Sequence, residues 1–89
     1  MISFNNYTVH KFDDSFILDN KLIKHGVDDS GWRIFYHNEI SNWIVCYPYC
    51  EFHGGGQPYI IKINSTDFEK WIYDNLDFEI KIRQLIEND

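Results

Sequence analysis

Apolar residues fall in short blocks separated by polar turn formers, and the character of the blocks changes along the chain. In the middle, "WRIFYH" (32–37), "NWIVCYPYCEF" (42–52) and "YIIKI" (59–63) are rich in aromatic and β-branched residues, the composition of half-buried strands. "NEIS" (38–41) and the segment from Gly54 to Pro58 are the connections between them, which makes the three strands an antiparallel meander. Along the second strand Trp43, Val45, Tyr47 and Tyr49 share one face, and Ile44, Cys46, Cys50 and Phe52 the other. Pro48 has no amide to donate, so it marks a bulge or a strand edge at which those faces can exchange.

The last third changes period. Ser65-Thr66 followed by Glu69 matches a helix capping box, Asp67 adds charge at the positive end, and Phe68, Trp71 and Ile72 recur at i, i+3, i+4. Asn75 is the stop. A second helix starts near Asp77, with Phe78, Ile82, Leu85 and Ile86 at helical spacing. The first third is less regular. "SFIL" (15–18) and "KLIKHGV" (21–27), separated by Asp19-Asn20, suit a hairpin with an Asp-Asn turn, a short helix being the alternative. "VDDSG" (27–31) reads as a polar turn. Together these elements predict one α+β domain over residues 1–89, an antiparallel meander of three to five strands with two C-terminal helices packed on one face.

Composition sharpens the picture in two ways. At 89 residues the chain has few interior positions, yet it carries seven Phe, six Tyr and three Trp, so some rings are expected at the surface as interface anchors. The net charge is −6, with the excess acid in residues 1–30 and 65–89 and a neutral aromatic block between. Such a field disfavours nucleic acid, which is bound by basic patches, and favours a basic protein partner. No apolar run is long enough to span a membrane and the N-terminal residues do not form a signal peptide, which predicts a cytoplasmic protein with reduced thiols.

"CYPYCEFHGGGQPY" (46–59) concentrates the candidate chemistry. Cys46, Cys50 and His53 are residue types that zinc accepts, and they are the alternative site for a small metal- or ligand-binding domain. In an extended strand, however, Cys46 and Cys50 stand about 13 Å apart at ~3.3 Å per residue, too far for one tetrahedral ion unless the chain bends at Tyr47-Pro48. Gly54, Gly55 and Gly56 lead into a strand, with no Lys-Ser/Thr opening a helix, so they form a hairpin loop rather than a phosphate cradle. A weak hydrolase built on Cys50 and His53 lacks an identifiable oxyanion donor or orienting residue. His37 is expected beside Asn42, most of a strand away from His53, too far for an acid–base pair. No catalytic residue, metal or cofactor is therefore assigned.

The remaining constellation is acidic and aromatic. Asp13-Asp14, Asp28-Asp29 and the acids between the helices are suited to meet Lys and Arg on a partner, and Trp32, Tyr36, Trp43, Tyr47 and Tyr49 to supply a desolvated centre. In size, charge and composition the chain resembles the small acidic immunity proteins of bacterial toxin–immunity systems. The resemblance implies a stoichiometric inhibitor, monomeric or homodimeric, that blocks the basic nucleic-acid site of a nuclease toxin. Anti-CRISPR inhibitors of nucleic-acid-binding effectors share the mechanism. Asp28, Asp29, Trp32, Tyr47, Tyr49, Glu51, His53, Asp74 and Asp77 are the expected partner-binding residues.

Overall fold

The computed structural model describes residues 2–4, 7–49 and 56–87, with side chains for 7–49 and 56–87. Among the described residues, six strands form one antiparallel sheet: β1 (Ile2–Phe4), β2 (Tyr7–Lys11), β3 (Ile23–Val27), β4 (Ile34–His37), β5 (Asn42–Cys46) and β6 (Tyr59–Ile63). The helices among them are α1 (Asp14–Asn20), α2 (Phe68–Asp74) and α3 (Phe78–Glu87). The α+β class and the C-terminal helix pair agree with the sequence pattern. The strand order does not reduce to a meander, because it runs β1-β2-β6-β5-β4-β3. Strands β3 to β6 meander, and the N-terminal β1–β2 hairpin then docks on the free side of β6, pairing Val9 with Ile61 and Lys11 with Tyr59. The sheet accordingly has one strand more than the upper bound read from the sequence.

Both faces of the central strands are buried, and that decides where the helices go. Ile44, Cys46, Ile61, Ile63 and Phe35 pack with Phe68, Trp71, Ile72, Phe78 and Ile82 of α2 and α3. On the opposite face Trp43, Val45, Ile60 and Tyr36 pack with Phe12, Phe16 and Ile17 around α1. The alternation along β5 is thus as expected through Tyr47, which joins the α1 face. Tyr49 departs from it. After the strand ends at Cys46 the chain turns through Pro48, and Tyr49 meets Arg83 of α3 instead.

Residues 14–20 form a helix where the pattern favoured a strand. Asp13 is its N-cap, its carboxylate accepting from the Phe16 amide at 3.0 Å. Phe12 and Ile17, the residues flanking that cap, both pack in the cluster beneath α1, which fixes the entry angle of the helix. Lys21 ends it in the left-handed region at φ 53°, its amide donating back to Leu18. The start of α2 also shifts. Asp67 rather than Ser65 or Thr66 is the N-cap, its carboxylate accepting from the Lys70 amide, while the Ser65 hydroxyl accepts from the Asp67 amide. Asn75 ends α2 as expected, its side chain donating to the Trp71 carbonyl.

Phe78 is fully buried where α3 meets the sheet, and its ring packs edge-on to Trp71 at 5.1 Å. Phe78→Ala is expected to destabilise the domain by about 3–5 kcal/mol in urea unfolding, whereas the exposed Tyr73→Ser changes stability by no more than about 0.5 kcal/mol. A small effect of Phe78→Ala would show that α3 does not close the core.

Candidate protein-interaction site

The β3–β4 loop, residues 28–33, is built by its own short polar side chains. The Asp28 amide donates to the Arg33 carbonyl and the Gly31 amide to the Asp28 carbonyl, closing the loop at 3.0 and 3.1 Å. Gly31 sits at φ +77°, a conformation that L side chains rarely adopt. The Ser30 hydroxyl donates to Asp28 and accepts from the Trp32 amide, which sets the direction in which Trp32 leaves the loop. Trp32 remains 44% exposed and is braced edge-on by Tyr47 at 5.4 Å.

Arg33 then fastens this loop to α3. Its Nη1 donates to Asp28 at 3.0 Å, while Nε and Nη2 both donate to Glu79 Oε1 at 3.0 and 2.6 Å. The guanidinium carbon also lies 5.6 Å from the centre of the Phe78 ring. Partial burial pushes the Asp28 carboxyl upward, but the hydrogen bonds from Ser30 and Arg33 and the charge of Arg33 outweigh it and hold the pKa below the ordinary value. Burial likewise works against the Arg33 charge, and the two carboxylates overcome it and raise its pKa. All three side chains are only 11–24% exposed, so their pairing is screened less than a surface bridge.

The expected partner-binding residues are therefore distributed unevenly. Asp28, Asp29, Trp32 and Tyr47 share the loop end of the sheet, and Arg33 brings that end against the first turn of α3, immediately after Asp77. Two of the three acidic groups of the sequence, Asp28-Asp29 and the acids between α2 and α3, thus lie on adjoining segments, while Asp13-Asp14 start α1. Asp28 is not a free carboxylate, since Arg33 neutralises it. Asp77 forms an i,i+4 pair with Lys81 at 3.4 Å and Asp74 one with Lys70 at 2.7 Å. Such exposed pairs hold a few tenths of a kcal/mol (~0.3–0.5) and yield readily to a stronger partner. Tyr49 stands over Arg83 at 4.6 Å and donates to Glu87 at 3.3 Å, beside α3. Tyr36 and Trp43 belong to the core beneath α1 and are unavailable to a partner. Glu51 and His53 lie outside the described residues.

The metal and thiol readings meet one firm obstacle. Cys46 is fully buried in the apolar cluster under α3, and burial pushes its thiol pKa well above the usual value. A thiol so placed is a poor nucleophile and a poor ligand. Cys50, the second thiol of that reading, also lies outside the described residues, among which no group of three metal-ligating side chains occurs. His37 pairs with Asn42 as expected, and its ring neighbour is His25 at 6.0 Å.

Sequence reasoning missed a second exposed surface at the other end of β3. Leu18, Ile23 and Ile40 are 78%, 60% and 87% exposed there. Leu18 and Ile23 sit in apolar runs that read as core, and Ile40 in the 38–41 turn; only the packing reveals that nothing among the described residues covers them. Comparison with family models, with curated proteins and with solved structures finds no match to this chain.

Because the folded-state pKa of Asp28 lies below the unfolded value near 3.8, its contribution to stability is complete above that pH and is lost as pH falls through the folded value. Asp28→Asn is expected to lower the urea midpoint at pH 7 and to approach the wild-type midpoint as pH falls through the folded-state pKa of Asp28. Equal destabilisation above and below that pKa would show that Asp28 does not stabilise the fold as a carboxylate.

Proposed function

We propose that this chain is a stoichiometric protein inhibitor of the immunity type, which occupies the basic nucleic-acid site of a nuclease toxin or similar effector through the β3–β4 loop and the start of α3. The observation that carries this reading is the loop itself. A half-exposed Trp32, braced by Tyr47 and next to the exposed Asp29, is presented on a backbone that Arg33 locks to α3. A rigid aromatic anchor with carboxylates beside it suits an interface with a cationic groove, because little side-chain entropy is lost on binding and the charges steer encounter.

Asp29 and Asp77 are the carboxylates best suited to pair with Lys or Arg that would otherwise hold phosphate. Asp77 exchanges a weak internal pair for a better-desolvated external one. Asp28 and Glu79 act behind them by holding the loop. The mechanism is competitive occlusion: the inhibitor places carboxylates where the effector's substrate places phosphates, and Trp32 excludes water at the centre. The overall charge of −6 adds long-range attraction that salt screens.

Capture from host lysate at low salt is expected to retain one basic nucleic-acid-processing protein that elutes at high salt. With that partner, Asp29→Lys is expected to slow association about tenfold and to flatten its salt dependence, while Trp32→Ala accelerates dissociation about thirtyfold, the effect of a hot-spot residue near 2 kcal/mol. Binding that both folded variants leave intact would move the interface elsewhere. Retention of no basic protein would overturn the inhibitor reading itself.

A further inference from the structure

The last turn of α1 and the β4–β5 turn form the walls of an open groove of about 470 Å³, lined by Asp19, Lys21, Ile23, Asn38, Glu39 and Ile40 among others. It lies at the start of β3, the end away from Asp28. One side chain ties the walls together. Asn38 Nδ2 donates to the Asn20 carbonyl at 3.0 Å, and Asn38 Oδ1 accepts from the Ile40 and Ser41 amides at 3.0 and 2.8 Å. The groove is therefore preformed, and Ile40 is held out at its rim on a fixed turn.

The charges of the groove point one way. Asp19 and Glu39 take part in no ion pair among the described residues, and Lys21 is the one cation in the lining. Lys21 ends α1 and Asn38 satisfies the Asn20 carbonyl, so two carboxylates against one lysine leave the lining with an excess of one negative charge. Ile23 and Ile40 offer apolar surface beside those carboxylates. A long cationic side chain matches both features at once, since its methylene stem covers apolar surface while its head keeps to the charged rim.

We infer that this groove binds a lysine or arginine side chain flanked by apolar residues, presented by an exposed segment of a protein partner. The head group is held by Asp19 and Glu39, and the stem and its apolar neighbours lie over Ile23 and Ile40. A groove of this volume has room for the cationic side chain and one apolar neighbour, within the ~300–1,000 Å³ range of binding sites. The site uses none of the residues of the β3–β4 loop and stands whether or not that loop contacts an effector. It makes the domain two-ended, with an acidic and apolar surface at each end of β3.

Amide NMR titration at low salt tests it with two acetylated, amidated pentapeptides, one alternating leucine with lysine and one alternating leucine with glutamate. The lysine peptide is expected to give saturable shifts confined to residues 18–23 and 38–41, and the glutamate peptide none. Asp19→Asn combined with Glu39→Gln is expected to weaken binding at least tenfold, and Ile40→Ser severalfold; all three positions are exposed, and unshifted β5 and β6 amides confirm the fold. Shifts scattered over all acidic residues without saturation would overturn the inference. So would equal binding of the two peptides, unchanged binding by the double variant, or shifts that follow protein concentration, which would mean that a second copy covers the groove.

Discussion

Arg33 shares one guanidinium between a carboxylate five residues away and one forty-six residues away. The near partner, Asp28, closes the β3–β4 loop; the far partner, Glu79, is in the first turn of α3. Without the cation the two carboxylates would face each other, partly buried, at the point where α3 begins to cover the sheet. The consequence falls between the ~0–1 kcal/mol of an exposed pair and the ~3–5 kcal/mol of a buried pair stripped of one partner. Phe78, beneath the guanidinium, supplies the packing, and Arg33 supplies the register. The loop that carries Trp32 and Asp29 is placed by this one contact.

A second constraint is the two-sided core. Strands β5 and β6 are buried on both faces, so both faces need covers. The C-terminal helices cover one face with Phe68, Trp71, Ile72, Phe78 and Ile82, flanked by the partly buried Leu85 and Ile86. The other is covered by a helix of seven residues assisted by Phe12. Leu18, Ile23 and Ile40 remain exposed among the described residues, where α1 ends near the start of β3 and the β4–β5 turn.

What the sequence made legible follows the same division. The β6 strand, the 38–41 turn, the Phe68-Trp71-Ile72 stripe and the Asn75 stop were readable because each depends on near neighbours. Helix α1 was hidden by its ending. Lys21 takes the left-handed position that glycine or asparagine usually announces, and Asp19-Asn20 resembles a hairpin turn. The usable signal was at its start, where Asp13 precedes Phe16 and Phe12 and Ile17 flank the cap. Of the interaction site, the loop residues and Trp32 were readable as turn and aromatic, but the bridge from Arg33 to Glu79 was not, since no local pattern links them. The groove at the other end was illegible for a related reason: exposure of an isoleucine is decided by what fails to pack over it.

The surface that emerges is acidic and only partly self-paired. Lys70 and Lys81 answer Asp74 and Asp77, and Arg33 answers both Asp28 and Glu79. Asp29, Asp19 and Glu39 take part in no ion pair among the described residues. The basic partner proposed above would meet exposed Trp32, Ile23 and Ile40 with Asp29, Asp19 and Glu39 on the same segments.

Amide hydrogen exchange in the wild type and in Arg33→Met tests the central claim most directly. If the guanidinium holds the loop to α3, the Asp28 and Gly31 amides are protected in the wild type and lose protection together in the variant, while the β5 and β6 amides keep theirs. Equal protection of Asp28 and Gly31 in the two proteins would contradict the account, because the loop would then be held by its own turn chemistry and Arg33 would be incidental.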